Sequence, residues 1–82
     1  MLQVATRLFI EGQQVGRDGD FVDYYPTVQD GVEDTKRYFE GQGYAIESID
    51  VEELKRFATC ADTIPTIVVK LKRLAAAGDG DS

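Results

Sequence analysis

With 82 residues, fifteen acids, nine bases, one cysteine and no histidine, the chain lacks most of the side chains on which common catalytic devices depend. Its formal charge of −6 disfavours direct contact with DNA, RNA or an anionic membrane surface, whose binders carry basic patches. Hydrophobic residues at 43% and charged residues at 29% are ordinary for a globular domain, so a folded core is expected and wholesale disorder is not.

The expected organisation is a single compact α+β domain over 1–74, followed by a disordered acidic tail over 75–82 that offers three alanines as its only apolar groups. No apolar run approaches the roughly 20 residues of a membrane span, and Met1 to Ile10 lacks a basic start followed by a continuous apolar segment. The chain reads as cytoplasmic and unprocessed. Cys60 has no internal disulfide partner and no usual zinc set to join, which suits a reducing compartment and a small half-buried hydrophobe.

Leu2 to Ile10 alternates, with Leu2, Val4, Thr6, Leu8 and Ile10 on one face and Gln3, Ala5, Arg7 and Phe9 on the other, as an amphipathic strand does. Glu11 to Gly19, with three glycines among polar residues, reads as a loop or wide hairpin turn. A second strand is expected over Asp20 to Tyr25, stopped by Pro26.

Thr27 has the chemistry of a helix N-cap, with Asp30 placing negative charge in the first turn. At helical spacing Val28, Val32, Thr35 and Phe39 form one stripe, opposite Asp30, Glu33, Asp34, Arg37 and Glu40. Glu33 with Arg37, and Lys36 with Glu40, are opposite charges four residues apart, and Gly41 and Gly43 supply the C-terminal stop.

Tyr44 to Ile49 is expected as a third strand. Beyond it, Asp50 and Glu53 make an N-cap pair ahead of Val51, Leu54, Phe57, Ala58 and Ala61, so a short helix from Val51 to about Ala61 is the adopted reading. A longer third strand running into a hairpin is its competitor. Pro65 opens a last strand over Thr66 to Leu74, with Ile67, Val69 and Leu71 facing one way and Val68, Lys70 and Lys72 the other. The order β-β-α-β-(α)-β predicts a two-layer sandwich, a roughly four-stranded sheet with one or two helices on one face.

Charge is unevenly placed along this order. Glu11 to Asp62 holds thirteen acids and five bases, whereas Thr63 to Leu74 carries Lys70, Lys72 and Arg73 and no acid. Asp18, Asp20 and Asp23 resemble the start of a calcium loop, but Gln29 stands where a closing glutamate is needed, so neither a metal nor any other cofactor is expected. Ser48 and Ser82 have no histidine to activate them, and no glycine pattern forms a phosphate cradle. The acids lie in loops and on polar helix faces, where nothing separates their pKa values for acid and base roles. No enzyme activity and no catalytic residue is expected.

Phe9, Phe21 and Tyr25 are expected either to share the sheet face opposite the helices, as an apolar patch rimmed by acids and suited to a basic protein surface, or to complete a second packed layer or pack under the Glu11 to Gly19 loop. The segments IleAspValGluGluLeu at 49–54 and IleProThrIleValVal at 64–69 resemble the second half of a thioredoxin-like domain over roughly a quarter of the chain. That resemblance implies a helix leading to a cis Pro65 beside a ligand groove, as a degenerate member of the family. No cysteine follows the first strand, and no closing hairpin and helix follow Val69.

In size and charge the chain resembles the small acidic inhibitors of phages and mobile elements, anti-CRISPR and anti-restriction proteins among them. The expected function is that of a non-enzymatic module whose acids imitate phosphates and block a basic surface of a nucleic-acid-handling protein. Its partner-binding residues are Asp18, Asp20 and Asp23 on the first hairpin and Asp30, Glu33, Asp34 and Glu40 on the helix. Two alternatives stand beside it: the thioredoxin-like groove near Pro65, and a domain whose acids only keep it soluble. A homodimer through the last strand, read as an edge carrying lysines, is a further candidate partner.

Overall fold

A computed structural model describes residues 1–55, 59 and 61–74. Its elements in chain order are β1 (Leu2–Ile10), β2 (Gln13–Val15), β3 (Phe21–Tyr25), α1 (Val28–Gly41), β4 (Tyr44–Lys55) and β5 (Thr63–Arg73). The class is α+β, with one helix and a mixed five-stranded sheet, consistent with two layers.

β1 does not run into a wide turn. Ile10 pairs with Gln13, leaving Glu11 and Gly12 as a two-residue turn in which both residues have positive φ, 53° and 82°. These are the values that let a tight hairpin follow the strand twist, and Gly12 reaches them without steric cost. The turn is tied to β5, because the Glu11 amide donates to the Leu71 carbonyl at 3.0 Å and a Glu11 carboxylate oxygen accepts from the Arg73 amide at 2.9 Å.

β2 and β3 then lie along the same side of β1. Leu8 pairs with Val15 and Thr6 with Phe21, so Arg7 faces a five-residue excursion, Gly16 to Asp20. Arg7 Nε reaches Asp18 Oδ1 at 3.5 Å, and Gln14 Nε2 donates to the same oxygen at 2.8 Å. Within the excursion the Arg17 amide donates to Asp20 Oδ2 at 2.8 Å.

α1 begins and ends where its caps dictate. The Asp30 amide donates to Thr27 Oγ1 at 3.2 Å, and Thr27 Oγ1 donates to Asp30 Oδ2 at 3.0 Å. At the other end Gly43 takes φ 88° and its amide donates to the Glu40 carbonyl. Gly31 and Thr35 are the buried residues of the helix. The two i,i+4 charge pairs do not close: among the described residues the one ion pair is Arg7 with Asp18, and Glu33 instead accepts from Gln29 Nε2 at 2.8 Å. Exposed pairs gain too little to hold two long side chains together.

The expected second helix is corrected by β4, which continues through Val51 to Lys55 and pairs antiparallel with β5 as far as Lys55 opposite Thr63. ValGluGluLeuLys has good helix formers, but β5 is a strand whose Ile67, Val69 and Leu71 are fully buried, and it requires partners on both sides. A ladder with Val51 opposite Ile67 and Leu54 opposite Ile64 supplies one of them. The longer strand and hairpin is therefore the reading that holds over the described residues. The remainder of the expected helix at 56–58 and Cys60, like the tail over 75–82, lies outside them.

β5 is the centre of the sheet, not an edge. It runs parallel to β1 from Thr66 opposite Ala5 to Leu71 opposite Ile10, with β4 on its other side. The expectation that the last strand is an edge is thereby corrected, since both of its sides are paired over Thr66–Leu71. Pro65 sits one residue before the pairing with β1 begins, where its missing N–H is tolerated. Its peptide bond is trans, and a strand rather than a helix precedes it, so the thioredoxin-like resemblance does not extend to the structure.

β3 and β4 run in the same direction at opposite borders of the sheet, and α1 carries the chain between them across one face. The core lies beneath it: Leu8, Val69 and Leu71, with Ile10, Phe39, Tyr44, Ile46 and Ile49 packed against them.

Candidate functional site

Alternation along β1 and β3 decides which side chains meet the helix. Thr6 and Leu8 point toward α1, and the register of β3 places Phe21 opposite Thr6, Asp23 opposite Val4 and Tyr25 opposite Leu2 on that same face. Phe21 and Tyr25 therefore lie on the helix side, while Phe9 lies on the other. Of the two expectations for these rings, the shared open face is the one that fails. Register between β1 and β3, which depends on where the hairpin turns, made the difference.

What forms instead is a cleft of about 400 Å³ between the paired strands β1 and β3 and the helix α1. The sheet contributes Thr6, Leu8, Phe21, Asp23 and Tyr25; one flank of the helix contributes Asp34, Thr35, Tyr38 and Phe39. Tyr38 and Phe39 stand edge to face with centroids 5.0 Å apart, and Phe39 meets Tyr44 in the same manner at 6.3 Å. Phe39 and Tyr44 thereby tie the cleft to the core, while Tyr38 stays at its exposed rim.

Tyr25 joins the two sides of the cleft. Its hydroxyl donates to Asp34 Oδ2 at 3.0 Å. Burial pushes the Tyr25 pKa up to about 12, helped by the hydrogen bond to Asp34 and by the charges of Asp34 and Asp23. The phenol thus stays protonated at neutral pH and holds Asp34 in place. Thr35 lines the same cleft, is only 7% exposed, and its hydroxyl has no hydrogen-bond partner among the described residues.

The seven acids expected to bind a partner are all exposed, but they do not form one surface with one role. Asp23 and Asp34 come together at the cleft. Asp18 is neutralised by Arg7, Asp20 ties the excursion to its own backbone, and Asp30 serves the helix cap. Glu33 and Glu40 stand on the solvent side of α1 with no ion-pair partner among the described residues. No three acidic, histidine or cysteine side chains of the described residues converge as a metal site would require.

Three roles emerge only in the fold: Tyr25 as a hydrogen-bonded post, Thr35 as a buried residue of the cleft, and Thr6 and Tyr38 as walls. A partial signal existed, since Phe21, Asp23 and Tyr25 alternate on one face and Asp34 and Tyr38 are one helical turn apart.

On the far face a second groove of about 510 Å³ is lined by Arg7, Phe9, Leu54, Val68 and Lys70 together with Glu47 and Glu52. Arg7 Nη2 donates to the Lys55 carbonyl at 2.7 Å, which brings the far end of the β4–β5 hairpin back toward β1. Charges of both signs alternate there. Among the described residues no helix is long and apolar enough to cross a membrane. No protein-family model matches the chain, and neither a curated protein nor a solved structure matches it.

Proposed function

We propose that the protein is a non-enzymatic binding module whose acidic hairpin and helix engage a basic protein surface, such as one that otherwise holds nucleic acid. One observation carries this reading: six of the seven exposed acids along β3, its preceding loop and α1 are outside any ion pair among the described residues, while cations gather on β5. Seven carboxylates against Arg17, Lys36 and Arg37 on these adjoining elements leave a net negative field, which steers a basic partner and suppresses binding to nucleic acid itself. The preference for a nucleic-acid-handling partner follows from the likeness between spaced carboxylates and phosphates.

Glu33 and Glu40 suit the test because both are exposed on the solvent side of α1 and outside any ion pair among the described residues. The protein is immobilised and used to capture proteins from its source cells at low and high salt after nuclease treatment, beside the Glu33→Lys, Glu40→Lys double variant. A basic nucleic-acid-handling protein should be retained at low salt, be released at high salt and associate with the variant about tenfold more slowly. Capture that ignores both salt and charge reversal would refute the reading. A stability that rises in molar salt, with nothing retained, would favour acids that only solubilise.

A further inference from the structure

We propose that the cleft between β3 and α1 is a socket for a single arginine side chain presented by the partner. This inference rests on the acidic-module reading and names the contact through which it acts.

The charged groups of the cleft are two carboxylates, and the other polar groups are the hydroxyls of Thr6, Tyr25, Thr35 and Tyr38, each able to accept. The carboxylates of Asp23 and Asp34 enter from the strand and the helix respectively, and no lysine or arginine lines the space to neutralise them. The Tyr25 hydroxyl spends its proton on Asp34, which leaves its oxygen lone pairs free to accept. Thr35 is a second, independent pointer: it is 7% exposed, lines the cleft and has no side-chain partner among the described residues, so a bound donor can replace the water its hydroxyl otherwise meets there. The ligand that meets this set is a cation with several donors.

The walls choose among cations. Leu8 and Phe39 make the cleft floor apolar, and the rings of Phe21 and Tyr38 remain exposed at its rim. A guanidinium is planar, weakly hydrated and carries five N–H donors, so it can lie against a ring while donating to carboxylates on both sides. A lysine ammonium is compact, strongly hydrated and has three donors. A quaternary ammonium has no donor, and would leave Thr35 unsatisfied. The volume of about 400 Å³ is near the lower end of small-ligand clefts, about 300–1,000 Å³, and suits one side chain better than a helix or a folded loop.

The test is a titration of the isotope-labelled protein with Nα-acetyl-arginine methylamide, followed by nuclear magnetic resonance. The lysine analogue and tetramethylammonium serve as parallel probes at matched ionic strength. Saturable shifts confined to Phe21, Asp34, Thr35 and the Tyr25 and Tyr38 rings are expected with the arginine probe, with affinity falling from arginine to lysine to tetramethylammonium. Asp34→Asn should weaken the arginine probe about tenfold and Thr35→Val about threefold. Thr35→Val keeps the shape of the side chain, so it remains informative if Asp34→Asn disturbs the fold.

Shifts that never saturate, spread over Glu33 and Glu40 as well, or are equal for all three cations would overturn the socket. If that happened while partner capture still depended on salt and on Glu33 and Glu40, the socket alone would fall. A selective, saturable arginine site with no salt-sensitive partner would instead leave the socket standing and overturn the broader reading.

Discussion

Replacing Gly31 by alanine sets helix propensity against tertiary packing at one position. In a helix interior alanine is favoured over glycine by about 1 kcal/mol. A Cβ at Gly31, however, would stand 3.0 Å from Tyr25 Cδ2 and 3.2 Å from both Tyr25 Cε2 and Ile67 Cδ1. Carbon atoms at optimal separation lie about 3.5–4.0 Å apart, so the neighbours must give way. Ile67 is fully buried and has no free space to enter. The Tyr25 ring can swing outward only by stretching its 3.0 Å hydrogen bond to Asp34. Overpacking of this kind costs about 1–3 kcal/mol, so the net expectation is a loss of about 1 kcal/mol.

Gly41, in the last turn of the same helix, would place a Cβ with nothing within 4 Å. Gly41→Ala should therefore gain up to about 1 kcal/mol. Urea unfolding followed by circular dichroism would separate the two variants by about 1 M in midpoint, given slopes of about 1–3 kcal/mol/M for small proteins. Releasing the ring with Tyr25→Phe should reduce the cost of Gly31→Ala, an energetic coupling between residues in contact. If both alanine variants raised the midpoint equally, α1 would not press on Tyr25 and the geometry of the cleft would be wrong.

Tyr25 should also reveal itself in an alkaline titration of phenolate absorbance. Its pKa lies near 12 instead of 10.0, so the Tyr25→Phe variant should lack the most alkaline step of the curve, and Asp34→Asn should move that step down. Because the folded state holds the proton more tightly than the unfolded one, the stability this contributes is complete below about pH 10 and is lost as pH rises toward about 12. A Tyr25 that titrates with the other tyrosines would contradict the hydrogen bond to Asp34. At the start of α1, Thr27→Ala should cost about 1 kcal/mol in thermal or urea unfolding, whereas Thr27→Ser should keep most of the wild-type stability. An unchanged midpoint would mean that the cap seen between Thr27 and Asp30 contributes nothing.

Much of the architecture was legible in short segments. The facing of β1, the start and stop of α1, and the buried side of β5 all follow from residues within a turn or two of one another. Thr27 caps its own helix, and Ile67, Val69 and Leu71 alternate whatever surrounds them. The site was only half legible. Acids on exposed positions could be named, but Asp23 and Asp34 gain a common role only because Tyr25 reaches across from β3 to α1.

The local preference at Val51–Lys55 pointed to helix, since Glu, Leu and Lys favour it and Asp50 can cap it. Pairing of those residues with Thr63–Ile67 overrode it. The placement of β5 between β1 and β4, the five-residue excursion opposite Arg7, and the separation of Phe9 from Phe21 and Tyr25 are likewise results of register. Periodicity and capping were readable along the chain, because they depend on side chains and backbone groups a few residues apart. Tertiary structure alone decided which strand is central and which acids share a cleft, because those depend on contacts between segments far apart in the chain.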